Sequence, residues 1–188
     1  RYFYWLDSFV RGDWGIASST SQSVYTMISV RLGPTLLLSG TSMLLSVLIA
    51  LPLGVLSAYK PYSVWDYASS VLTFIGASVP NFFLSLMFIW LFAVQLKILP
   101  SQGMYTAGAV QQAGDLARHM VMPVTVLALQ LTGNYLKQTR GAVLEVLDSE
   151  YIKTARSKGI REANVLIRHA LRNSLIPIVT TVALNVPF

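Results

Sequence analysis

Apolar positions in this chain gather into long uncharged runs instead of recurring on one face of an amphipathic helix. The stretch "LGPTLLLSGTSMLLSVLIALPLGVLSAY" from Leu32 to Tyr59 holds no charged residue, nor does "YASSVLTFIGASVPNFFLSLMFIWLFAVQL" from Tyr67 to Leu96. A third, "HMVMPVTVLALQLTGNYL" from His119 to Leu136, carries only its terminal histidine. A helix crosses a bilayer with about 20 apolar residues, so the pattern predicts transmembrane helices over 32–59, 67–96 and 119–136. A fourth is predicted to start near Asn173 and run through 173–188. The alternative, buried helices of a soluble core, fits poorly with three such runs separated by short polar loops. The predicted fold class is all-α, a polytopic transmembrane helical bundle formed by one domain over 1–188.

Proline falls inside the first two runs at Pro52 and Pro80 and near the starts of the others at Pro123 and Pro177. Neighbouring helices can satisfy the carbonyl that proline frees, so kinked helices are expected. Beside them lie the small residues Gly54, Ser57 and Ala58, and Gly76, Ala77 and Ser78, which permit close helix approach or ordinary packing.

Composition agrees with the pattern. The chain is 54% hydrophobic and 12% charged, against roughly 25% charged in globular domains, and its mean hydropathy is +0.56. Its net charge of +6 would suit nucleic acid in a soluble protein, but eight of the fourteen Lys and Arg fall between Lys137 and Arg172. No nucleic-acid partner is therefore expected. The absence of cysteine excludes disulfides and thiolate chemistry. The chain opens on "RYFYWLDSFVRGDWG" without a Met or a signal peptide and closes at Phe188 within an apolar run, so it is expected to be a fragment with helices missing at both ends.

The Lys/Arg bias orients the bundle. Segments 60–66 and 137–172 hold nine basic residues and segments 1–31 and 97–118 hold five. The richer side is cytoplasmic on this rule, which makes 1–31 an external segment and 137–172 a cytoplasmic loop.

That loop carries helix punctuation. Asp148 or Ser149 can cap a start, Glu150 sits in the first turn, and Arg156 and Lys158 precede Gly159 at the position after the C-cap. Beyond it Ile160, Ala163, Ile167, Ala170 and Leu171 recur at helical spacing, opposite Arg161, Arg168 and Arg172, which predicts a second, amphipathic helix. Spacing alone leaves two uses open: a solvated loop near anionic membrane lipid, or a docking element.

The run "YIKTARSKGIREANVLIRHALRNSLIPIV" resembles the cytoplasmic EAA-type loop of membrane subunits of binding-protein-dependent ABC importers, most closely the oligopeptide/dipeptide branch. "RGDWG", "LIALPLGVLSA", "SVPNFF", "ILPSQG" and "TRGAVLEVLDSEYIKTARSKG" match that branch in the same order. The signature Glu-Ala-Ala stands here as Lys153, Thr154 and Ala155, a departure usual in the peptide branch. The resemblance implies a type I ABC importer permease fold in the bacterial cytoplasmic (inner) membrane. It also implies a pathway shared with a second permease subunit, two cytoplasmic ATPase subunits and an extracytoplasmic substrate-binding protein. The loop would then couple to the ATPase through Glu150, Tyr151, Thr154, Ala155, Lys158, Gly159, Ile160 and Arg161.

No catalytic constellation competes. His119 and His169 lack partners at metal-ligand spacing, and there is no GxxxxGK[ST] loop. The chain is thus expected to be no enzyme and to hold no cofactor, with ATP and Mg bound by the partner ATPase. Asp7, Asp13, Asp66 and Asp115 fall in loops, where solvated or capping roles are expected. Gln130, Thr132 and Asn134 are uncharged polar residues within the third run, available for the substrate path or for interhelical hydrogen bonds. The runner-up function, a secondary transporter or channel, is disfavoured because the first two runs contain no ionisable group except tyrosine.

Overall fold

The computed structural model describes residues 2–108, 110 and 112–185. Arg1 of the expected external segment and 186–188 of the expected fourth span lie outside the described residues. Two compact units are present, 1–38 and 39–188, and no strand occurs among the described residues beyond an isolated Ile16–Ser23 bridge.

In the first unit, α1 (Tyr2–Val10) is followed by a turn in which the Asp13 carboxylate accepts from the Gly15 N–H at 3.1 Å. A ladder of rings organises this unit. Trp5 stacks on Phe9 at 5.4 Å, Phe9 on Trp14 at 5.5 Å, and Trp14 meets Tyr25 edge-on at 5.8 Å. Tyr25 lies at the start of α2 (Val24–Tyr59), 36 residues long. This is the one helix among the described residues long and apolar enough to cross a membrane by itself. It contains the predicted 32–59 and passes Pro52 without a break.

The second predicted span is not one kinked helix. It is divided into α3 (Val64–Ser78) and α4 (Asn81–Phe88), the latter continuing as π-helix over Ile89–Gln95, with a 102° bend between the two arms. Pro80 is the reason. A residue before proline is pushed out of the helical region; Val79 is accordingly extended, at φ −94° and ψ 120°, and ends α3. Pro80, at φ −61°, then serves as the N-cap of α4. The π-helical turn is closed by the Leu96 N–H bonding the Leu91 carbonyl at 2.9 Å, an i to i−5 bond.

The third predicted span lies inside α5 (Ala113–Leu147), 35 residues with Pro123 in its interior. Its length is ample, but its polar residues keep it out of the class of apolar spanning helices, which α2 alone meets unaided. It is the axis of the second unit, packing against α3, α4 and α8 (Arg172–Asn185). Glycine makes this possible. A Cβ at Gly76 would stand 2.7 Å from the Leu129 carbonyl, and one at Gly54 would stand 2.7 Å from the Thr139 side chain. Of the small residues singled out, Gly54, Ser57, Ala58 and Gly76 are buried, whereas Ala77 and Ser78 are exposed.

Two buried apolar clusters result. Ala50, Tyr135 and Leu136 join α2 to the middle of α5, flanked by Leu72 of α3 and Val182 of α8. The other gathers Ala58, Val143, Leu147, Ile152, Ala155, Val165 and Ala170. It brings the end of α2, the end of α5 and the basic loop to one end of this unit.

Candidate functional site

The basic segment folds as the residues require. α6 (Glu150–Ser157) starts at Ser149, whose backbone has N-cap geometry at φ −70° and ψ 149°. The Ser149 hydroxyl donates back to the Val146 carbonyl at 2.5 Å instead of capping the helix. Glu150 occupies the first turn and pairs with Lys153 at 2.7 Å. At the other end Lys158 is the C-cap and Gly159 turns left-handed, at φ +73°. The Gly159 N–H reaches the Arg156 carbonyl at 2.9 Å and the Ile160 N–H reaches the Ala155 carbonyl at 3.4 Å. These are the paired bonds of a Schellman ending, in which glycine supplies a positive φ without a Cβ penalty.

The turn leads into α7 (Glu162–Asn164), a π-helical stretch Val165–Leu171, and α8 without interruption. Here the predicted apolar face is corrected. Ala163 and Ile167 are exposed, Ile160 and Leu171 are half-buried, and of the named positions only Ala170 is fully buried. Val165, Ala170, Ser174 and Ile178 form the buried line instead. A π-helix aligns residues five apart, so Val165 and Ala170 share a face that α-helical spacing would have separated.

α6 is two-faced. Ile152, fully buried, and Ala155, 8% exposed, seat it on Ala58, Val143 and Leu147. Glu150, Tyr151, Thr154, Lys158, Gly159 and Arg161 are exposed, while Ala155 and the half-buried Ile160 turn inward and anchor. The eight predicted coupling residues are therefore contiguous but divided between an outward surface and its seat. Two ties stiffen the elbow. Arg156 makes three hydrogen bonds to the Glu162 carboxylate across the turn, the shortest 2.6 Å, which holds its guanidinium above its usual range. The Tyr151 hydroxyl accepts from the Asn173 amide at 2.8 Å and fastens α6 to α8.

The three polar residues of the third run are not brought together. Gln130 and Asn134, four apart, share an exposed face of α5 with Lys137, Gly141 and Glu145. Thr132, two positions from each, is 2% exposed on the opposite side. Gln130 accepts from the Asn81 amide at 2.5 Å, so part of its polarity goes to interhelical bonding.

A network that sequence reasoning missed joins the same end. Asp66 lies in the first turn of α3 instead of a loop, and its side chain is only 13% exposed. It accepts from the Ser57 hydroxyl at 2.6 Å and the Tyr62 N–H at 3.0 Å, and Arg140 pairs with it at 3.1 Å. The Ser57 and Tyr62 bonds, with Arg140 beside them, hold the carboxyl below its usual 3.8. Partners 74 positions apart leave no local pattern to read. Among the described residues no group of three His, Asp or Glu could hold a metal.

Comparison with known proteins adds the remaining observation. Residues 50–188 match the family model described as binding-protein-dependent transport system inner membrane component. The oligopeptide transport system permease protein AppB of Bacillus subtilis is 38% identical over 188 residues, covering 100% of this chain and 60% of that protein. A putative peptide permease protein of Brucella suis is 36% identical over 183 residues, 97% of this chain and 57% of the relative. A probable peptide ABC transporter permease protein, y4tP, of Sinorhizobium fredii is 34% identical over 185 residues, 98% and 58% respectively. The chain thus spans about 60% of the length of the curated relatives it matches.

Proposed function

Since the chain belongs to the family of binding-protein-dependent transport system inner membrane components, we propose that it is the greater part of a permease subunit in an ATP-driven importer of peptides. The names of the relatives, all peptide permeases, support the solute class. In this reading the protein is a polytopic bundle of the type I importer kind and shares its pathway with a second permease subunit. Two cytoplasmic ATPase subunits bind ATP and Mg, and an extracytoplasmic binding protein delivers solute. The Lys/Arg-rich end faces the cytoplasm, and the polar stripe of Gln130, Asn134, Lys137 and Glu145 faces the pathway.

The observation that carries coupling is the two-faced helix α6. Its inward residues Ile152 and Ala155 join it to the ends of α2 and α5, while its outward residues and the Gly159 elbow are left for a partner. Short helices clasped at a fixed angle pass on a rigid-body displacement that a slack loop would absorb.

The test is uptake by the full-length protein assembled with its co-purifying ATPase and binding protein in vesicles. ATP-dependent entry of labelled peptides is expected. Entry driven by an ion gradient with no associated ATPase would instead establish a secondary transporter.

A further inference from the structure

At the end of the second unit away from the basic loop, a cavity of about 250 Å³ lies between the start of the π-helical turn, the segment Pro100–Gly103 and the first turns of α5. Phe88, Ile89, Met122 and Val126 supply apolar walls, and Gln102 and His119 supply polar ones. An apolar cavity of roughly 150 Å³ already accepts benzene, so this one has room for an aliphatic side chain and the backbone attached to it.

Its polar groups are held in place from behind. The His119 side chain is 4% exposed, and its Nδ1 lies 2.9 Å from the Asp115 carbonyl. A carbonyl only accepts, so Nδ1 carries the hydrogen, and in the neutral ring Nε2 is left as an acceptor. No hydrogen bond to Nε2 occurs among the described residues. Asp115 is itself fixed, accepting the Thr106 N–H and hydroxyl at 2.7 Å each, which holds its carboxyl below the usual range. Arg118 donates to the Ile98 carbonyl at 3.0 Å. These bonds pin the 98–106 segment to α5 as a roof.

Pro123 also lines the cavity. It has no N–H, so the His119 carbonyl loses its i+4 donor. The cavity thus sets the His119 ring against a lining that is otherwise largely apolar.

We propose that this cavity is a subsite for the amino end of a short apolar peptide, the ammonium donating to His119 Nε2 and the first side chain filling the space between Phe88, Ile89, Met122 and Val126. The proposal rests on the peptide-importer reading and adds to it the end of the solute that the permease recognises. On the orientation above, the subsite opens on the side where the binding protein delivers.

The experiment uses the full permease–ATPase complex in nanodiscs without binding protein, with labelled leucyl-leucine as probe and N-acetyl-leucyl-leucine as its blocked counterpart. Wild type should bind the free peptide about tenfold more tightly than the acetylated one, the worth of one charge-assisted hydrogen bond. His119→Phe should erase that difference. Ser101→Phe, on the exposed roof, should weaken both probes while leaving the His119 bonds in place. Equal binding of the two probes by wild type, or unchanged binding by both variants, overturns the subsite. ATP-driven peptide uptake by wild-type vesicles is measured in parallel: if uptake is present and the binding differences are absent, only the subsite fails, whereas absent uptake refutes the importer itself.

Discussion

Gly159 allows the cost of the elbow's backbone to be separated from the cost of a partner pressing on it. Its φ of +73° is unfavourable for any residue with a Cβ, at about 1 kcal/mol at the low end. A Cβ built there meets nothing within 4 Å. Within this chain, therefore, Gly159→Ala and Gly159→Glu carry the same backbone term, and their unfolding in detergent should agree within a few tenths of a kcal/mol. Association with the ATPase is different. The mutated elbow relaxes when free and must regain its shape when docked, so Ala weakens association by about fivefold and at most about thirtyfold. If the ATPase packs on the elbow, Glu adds an overpacking cost of about 1–3 kcal/mol, a further fivefold or more, and uptake is lost. The assays are ATPase binding and peptide uptake by the reconstituted complex. Should Glu prove no worse than Ala in both, nothing sits on Gly159 and the coupling assignment falls.

Three other outcomes follow from the same geometry. Arg156→Glu and Glu162→Arg singly should loosen the elbow and the double exchange should restore it; the pair is over a third exposed on both sides, so a thermal double-mutant cycle should give only about 0.5–1 kcal/mol, and a value near zero would mean that the clasp does not stiffen the turn. Asp66→Asn should be less stable than wild type across neutral pH. Because the folded carboxyl titrates below its usual 3.8, the wild-type advantage is complete above that value and fades as pH falls through and below it; melting curves whose difference is unchanged down to about pH 3 would contradict the network. Gly76→Ala, facing the Leu129 carbonyl at 2.7 Å, should destabilise the purified protein by about 1–3 kcal/mol, while Gly141→Ala, with nothing within 4 Å, should stabilise it by up to about 1 kcal/mol; equal melting temperatures for the two variants would refute the close α3–α5 contact.

Features that depend on a residue and its immediate neighbours could be read from the amino acids alone. Ser149, Glu150 and Gly159 marked both ends of α6 because capping and a left-handed turn are local demands, and the long uncharged runs marked helical segments, of which α2 by itself is long and apolar enough to cross a membrane. Proline was legible as a disturbance, but its outcome was not: Pro52 is absorbed within α2 and Pro80 turns the chain by 102°. At Pro80 the preceding Val79 is extended and ends the helix, whereas α2 keeps its helical path through Pro52. The separation of Gln130 and Asn134 from Thr132 was available in the 100° step of a helix, though which face would be covered was not. Ala170 was read as inward from spacing, but tertiary packing alone decided that Val165 joins it and that Ile167 does not, since the π-helical stretch is seated against α5 and α6. It also decided that Asp66 meets Ser57 and Arg140, and that His119 lines a cavity. Those arrangements join groups far apart along the chain, whose energies exist only once the helices have come together.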